Sequence, residues 1–107
     1  MPVTLINLFD VAAEHDAEFR QRWQQVNDHM RTQPGYLGHT LHRAVTPDAA
    51  YRYVNVAQWR SADDFRAAHG PGFRALVSQP GWDRFPSRPA LYEVINAART
   101  EPSRASV

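Results

Sequence analysis

The segment YVNVAQW, residues 53–59, sets an amide and an indole four positions apart in a run otherwise suited to the inside of a sheet. Alternate residues of a strand share a face, so Asn55 and Trp59 project from one side, about 13 Å apart at the backbone. An amide N–H can donate to a developing oxyanion. An indole can stack on a fused ring system while its N–H reaches a carbonyl. Asparagine is disfavoured in mid-strand, which points to a special use, although a buried amide also satisfies backbone groups at bulges and a strand-ending Trp also plugs cores. His42 carries an imidazole, the side-chain type that exchanges protons most readily near neutrality, which makes it a candidate base or proton shuttle, or else a structural histidine. Arg74 offers a permanent cation for an enolate or a carboxylate, unless it is simply solvated. His39 and His42 suggest a metal pair by type. Three positions apart on a strand they face opposite ways, and no carboxylate accompanies them, so no metal site is expected.

Composition removes other chemistries. All 12 basic residues are arginine, which excludes Schiff-base and P-loop roles for lysine, and the absence of cysteine excludes disulfides and thiolate chemistry. A net charge of +1, with both signs spread along the chain, leaves no basic stripe for nucleic acid. The stretch MPVTLINLFD lacks a basic lead and a cleavage site, and no apolar run approaches the roughly 20 residues of a membrane span. A cytoplasmic location without a membrane partner is the expectation. With 107 residues the chain fits one domain with a single core, and a roomy site would borrow walls from a second copy.

The elements that position these groups follow from periodicity. Val3 to Phe9 reads as a strand. From about Ala13 the spacing turns helical: Phe19, Trp23, Val26 and Met30 form an apolar stripe, with Arg20, Gln24, Asn27 and Arg31 assigned outward, and Pro34-Gly35 stops the helix. Tyr36–Ala44 and Tyr51–Trp59 flank the turn TPDAA as an antiparallel hairpin. Ser61 caps a short helix through Ala68, a second runs from about Phe73 to Gln79, and Ala90 to Asn96 reads as the last strand. This order is α+β, a ferredoxin-like split βαβ arrangement with one antiparallel sheet and helices on one face. The domain spans residues 1–97, and 98–107 reads as a tail.

A hairpin centred near Pro47-Asp48 pairs His42 with Tyr53, Thr40 with Asn55 and Tyr36 with Trp59. Taking Val54, Val56, Leu37 and Leu41 as the helix-facing set leaves Asn55 and Trp59 on the open face, with Asn7, His42, Tyr36 and Tyr53.

The PGYL turn, His42, YVNVAQW, the helix start SADDFR and the FRAL helix bearing Arg74 resemble the antibiotic biosynthesis monooxygenase family, and within it the cofactor-independent anthrone oxygenases of aromatic polyketide pathways. The likeness covers most of residues 3–96. It implies a dimeric α+β barrel, a homodimer of ferredoxin-like subunits, each with a cavity between sheet and helices. That placement disagrees with the open-face assignment reached from alternation. It also implies oxidation of a polycyclic aromatic polyketide, an anthrone-like phenol to a quinone, by O2 through a substrate carbanion or enolate with no cofactor. Asn55, Trp59, His42 and Arg74 inherit catalytic roles from the resemblance, and Asn7, Tyr36, Tyr53, Phe65 and His69 are the expected substrate contacts. Two tyrosines of some anthrone oxygenases are replaced here by Leu41 and Phe65. The family's haem-degrading branch is matched by Asn7, but the stretch FRAAHGPGFRALV lacks its Trp and places His69 elsewhere. A haem-degrading enzyme, a cyclase or isomerase, or a ligand-binding protein of the same fold remain the alternatives.

Overall fold

The elements follow the periodicity closely. In the computed structural model, which describes residues 1–99, β1 (Val3–Phe9) leads through a 3-10 turn (Ala13–His15) into α1 (Asp16–Met30). β2 (Tyr36–Arg43) and β3 (Tyr53–Trp59) form the hairpin, and two one-to-two-turn helices, α2 (Ala62–Ala68) and α3 (Pro71–Val77), follow. A second 3-10 turn (Trp82–Arg84) precedes β4 (Ser87–Tyr92). The Ser61 hydroxyl accepts the Asp64 N–H at 3.0 Å and so begins α2. α3 starts two residues before its expected position because Pro71 occupies its first turn, where a missing N–H is harmless. β4 also begins earlier than the expected Ala90, and it contains Pro89. It is an edge strand paired only with β1, a place that tolerates proline. Val94 and Ile95, expected within that strand, lie beyond it and are exposed. Of the expected tail, residues 100–107 lie outside the described part.

The sheet order is β2-β3-β1-β4 with antiparallel neighbours, the ferredoxin-like arrangement. Its register corrects two expectations. A bulge at Leu37 separates the pairs Tyr36–Trp59 and Gly38–Gln58. Beyond it Leu41, not Thr40, opposes Asn55, and His42 opposes Val54 instead of Tyr53. The one-residue offset turns His42 to the other side of the sheet from Asn55. The face assignment is also reversed for β3: Tyr53, Asn55, Ala57 and Trp59 point toward the helices and are buried, while Val54 and Val56 are on the uncovered face. Of the expected helix-facing leucines, Leu41 packs on the core and Leu37, at the bulge, is exposed. Apolar content misled here because the valines, excellent strand formers, populate the outer face and the amides line the inner one.

Two apolar clusters fill the space between sheet and helices. Phe9, Phe19, Tyr53 and Phe85 pack at one end, and Leu5, Met30, Ala57 and Trp59 at the other. α1 covers both with the stripe of Phe19, Trp23 and Met30. Asn27, expected to point outward, is 6% exposed on the same stripe. Gly35, with φ at 86°, closes the turn after α1, and a Cβ there would stand 2.5 Å from the Asp64 side chain.

Asp16, at the start of α1, ties the helix to the hairpin. Its Oδ1 accepts hydrogen bonds from Arg52 Nε and the Tyr53 hydroxyl, both at 2.7 Å, and Arg20 and Arg43 approach Oδ2. The hydrogen bonds from Arg52 and Tyr53 hold its carboxyl below the usual aspartate range. A carboxylate whose folded pKa is lowered contributes stability above its unfolded pKa, and the contribution fades as pH falls through the folded value. Asp16→Asn is therefore expected to lower stability by about 1–3 kcal/mol at pH 7. Urea unfolding of both proteins across pH 2–7 should show that gap closing below about pH 4; a gap independent of pH would mean that the charge of Asp16 plays no part.

Candidate active site

Between the inner sheet face and the helices lies a cavity of about 300 Å³. Leu5, Asn7, Asn55, Ala57 and Trp59 form its floor, and Trp23, Val26, Asn27 and Met30 of α1 its roof. Phe73 and Val77 of α3 close one side, and the half-buried Trp82 and exposed Ser87 stand at the rim. Among the described residues Tyr36 is the only lining side chain that titrates, and none of them sets a fixed charge toward the interior.

The floor follows from strand pairing. Asn7 of β1 lies directly opposite Asn55 of β3, and Val3 opposite Trp59, so two amides and one indole share the inner face. Trp59 is 1% exposed and meets the rings of Tyr36 and Phe65 edge-on, at centroid distances of 5.3 and 5.8 Å. These two rings fix the indole plane.

Polar satisfaction separates this site from ordinary packing. Asn7 Oδ1, Asn27 Nδ2, Asn55 Oδ1 and Trp59 Nε1 are buried without hydrogen-bond partners among the described residues. All four belong to cavity-lining residues. A buried polar group left unpaired costs about 1–3 kcal/mol, and native interiors seldom retain several together. The four atoms combine acceptors with donors, a set suited to a ligand bearing both carbonyl and hydroxyl oxygens.

The other expected residues divide by position. Tyr36 lines the cavity; its hydroxyl lies 3.4 Å from Asn27 Oδ1 and 2.5 Å from His39 Nδ1. Burial pushes the phenol above the ordinary tyrosine range. Tyr53 is core, spent on Asp16. Phe65 buttresses Trp59 from behind, and His69 sits between Phe65 and Phe73 at 4.2 and 4.4 Å, with its Nδ1–H donated to the Phe65 carbonyl. Neither Phe65 nor His69 lines the cavity. His42 is exposed on the outer face, its Nδ1 3.3 Å from the Val54 carbonyl oxygen, and Arg74 is exposed on α3 with a 3.4 Å hydrogen bond to the His69 carbonyl. The geometry thus gathers Asn7, Asn55, Trp59 and Tyr36 and leaves His42 and Arg74 outside. It adds Asn27 and Trp23 to the walls. Asn27 was legible in principle, since it lies four residues after the stripe residue Trp23 and three before Met30. Among the described residues no cluster of three or more His, Asp or Glu is placed to hold a metal ion, and no helix is long and apolar enough to cross a membrane.

Comparison with known proteins agrees with this architecture. Tetracenomycin-F1 monooxygenase of Streptomyces glaucescens is 43% identical over 67 residues, which cover 62% of this chain and 57% of that protein. This chain therefore aligns with little more than half of that relative. The mycobilin-producing haem oxygenase of Mycobacterium tuberculosis is 36% identical over 70% of each chain. The crystal structure of SnoaB, a cofactor-independent oxygenase of Streptomyces nogalater, superposes with a TM-score of 0.72 at 32% identity, over 94% of this chain and 97% of that one. Residues 2–79 match the antibiotic biosynthesis monooxygenase family, and the chain belongs to that family.

Proposed function

We propose that the cavity binds a flat, fused-ring phenol of anthrone type and oxidises its activated methylene to a carbonyl with O2, without a cofactor. The observation carrying this reading is the set of four unpartnered polar atoms on the walls of a cavity that is mostly apolar. An anthrone has a methylene between two aryl rings, and loss of one proton gives an extended enolate. That anion is electron-rich enough to give an electron to O2, after which carbon and oxygen combine. The protein then has to orient the rings, hold the oxyanion and exclude water. The Trp59 N–H and the Asn55 Nδ2–H serve the oxyanion, the Asn7 and Asn55 Oδ1 atoms accept from ring hydroxyls, the Asn27 Nδ2–H donates to a ring carbonyl, and the faces of Trp23 and Trp59 bracket the ring system. Kinship with tetracenomycin-F1 monooxygenase and SnoaB supports the choice of an aromatic polyketide.

Kinship with a haem oxygenase raises a second reading, which the lining does not support. Among the described residues no imidazole lines the cavity, and no cation lines it to meet propionates. The one phenol is engaged by His39 and Asn27, and burial favours its neutral form over the phenolate an iron would need.

The outer sheet face supports assembly as a homodimer. Ile6, Leu8, Val54 and Val56 share it by register, and the helices pack on the opposite side. An apolar sheet face of this kind calls for a cover, and a second copy supplies one in the reading adopted here.

Purified protein treated with chelator is expected to consume O2 when given anthrone. Trp59→Phe or Asn55→Ala should lower turnover by about 10²-fold, the scale of a lost oxyanion donor. Asn55→Leu should abolish turnover yet unfold at the same urea concentration or a higher one, since it removes an unpaired amide; a stability loss above about 2 kcal/mol would make Asn55 a structural residue. Titration with hemin is expected to leave the Soret band of free hemin unshifted, and a sharpened, shifted band would favour the haem reading. Sedimentation should give twice the chain mass for the wild type and the chain mass for Val56→Glu; a monomeric wild type would remove the dimer.

A further inference from the structure

Residues three apart on a regular strand face opposite sides, yet Tyr36 and His39 meet. The bulge at Leu37 is the cause: it inserts one residue between the two, so that both fall on the inner side of edge strand β2. Tyr36 lines the cavity at one end of this contact, its hydroxyl 3.4 Å from the lining residue Asn27, and His39 is exposed at the other. Trp23 holds the imidazole edge-on at 5.1 Å.

We propose that Tyr36 takes the substrate proton inside the cavity while passing its own proton to His39 behind it, so that the pair forms a two-residue path between the cavity and solvent. The proposal rests on the oxygenase reading of the cavity and names the proton acceptor that this reading requires. Each state of the pair has its hydrogen bonds in place. With Nδ1 bare, the phenol donates to it across 2.5 Å and turns a lone pair toward the cavity. With Nδ1 protonated, that N–H donates to the phenol oxygen, and the phenol hydrogen swings to Asn27 Oδ1 at 3.4 Å. Asn27 is thus a switch partner, which gives a buried amide on the cavity wall a purpose.

The protons and electrons balance. One methylene C–H breaks, its proton goes to the Tyr36 oxygen, the phenol proton goes to His39 Nδ1, and the electron pair stays on the substrate as enolate. The enolate passes one electron to O2, and the two radicals join in a carbon–oxygen bond. The imidazolium returns its proton through Tyr36 to the peroxide. The second C–H proton then leaves by the same path, the O–O bond breaks, and the departing hydroxide takes that proton as water. The sum is methylene plus O2 to carbonyl plus water.

The groups facing His39 are few. Tyr36 lies on its own strand, Ala57 opposes it on β3, α1 presents the uncharged Trp23, and Arg31 follows α1. Partial desolvation of the ring, then the charge of Arg31, holds the imidazole below its ordinary value, which favours the bare acceptor at neutral pH. Protonation removes the acceptor, so proton removal should fail as pH falls through a value below about 6.5.

The test is stopped-flow absorbance of the anthrone enolate under anaerobic conditions, alongside aerobic O2 uptake, for wild type, Tyr36→Phe and His39→Gln. Both variants should form enolate about 100-fold more slowly, within the usual span of general-base effects, and His39→Gln should lose the acidic limb of the pH profile. His39→Ala should regain part of the rate with added imidazole, a rescue that a purely structural histidine would not show. Urea midpoints identify any variant that fails to fold, and His39→Asn replaces His39→Gln in that case. Enolate formation by the variants at the wild-type rate and pH dependence overturns the relay while wild-type O2 uptake still upholds the oxygenase. Wild-type enolate formation without O2 uptake keeps the relay and removes the oxygenase. The absence of both removes both.

Discussion

A polar atom taken out of water must find a partner, and at the centre of this protein four of them do not. That unmet demand explains why the interior is built as it is. β1 and β3 are paired so that Asn7 faces Asn55, and α1 sets Asn27 above them. The rings of Tyr36 and Phe65 stop Trp59 from turning to satisfy its own N–H elsewhere. The surrounding aromatic clusters supply the stability that lets the fold carry several unpaired groups at about 1–3 kcal/mol each. A ligand with oxygens on a flat frame would satisfy several of these groups at once, which is the selectivity the proposed function calls for.

The absence of charge matters equally. With no fixed charge on the walls among the described residues, these walls offer no ion pair to a separate carboxylate or propionate. The cavity does strengthen every hydrogen bond offered to an anion that arises within it. An enolate formed in place is such an anion. The charged groups are used outside: Asp16 with its arginines joins helix to hairpin, and Arg60 pairs with Asp64 beside Gly35. Structural electrostatics and cavity chemistry are therefore kept apart in space.

Much of this was legible in the chain. The stripe from Phe19 to Met30, the PDA turn and the alternation of YVNVAQW led to the right elements and the right order. Asn55 was recognisable because an amide in mid-strand conflicts with strand propensity, and Trp59 because alternation sets it on the same face. The faces were not legible, because alternation separates two sides without saying which is inside. Here Val54 and Val56 outside are more apolar than Asn55 inside. His42 was misplaced by a single bulge at Leu37, a backbone event with no strong signature beyond the neighbouring Gly38, and the same bulge brings His39 beside Tyr36. Asn27 was assigned to solvent by its polarity although its helical position placed it on the buried stripe.

The central claim is that a fused aromatic frame occupies the space between Trp59 and α1 and satisfies the unpaired atoms there. A crystal structure with anthraquinone, which has no methylene left to oxidise, tests it most directly. The account predicts the rings inside the cavity with one carbonyl oxygen about 3 Å from Trp59 Nε1 and a second polar contact to Asn55 or Asn27. A ligand bound on the outer sheet face, or one seated inside with Trp59 Nε1 and the three asparagines still unpartnered, would contradict it.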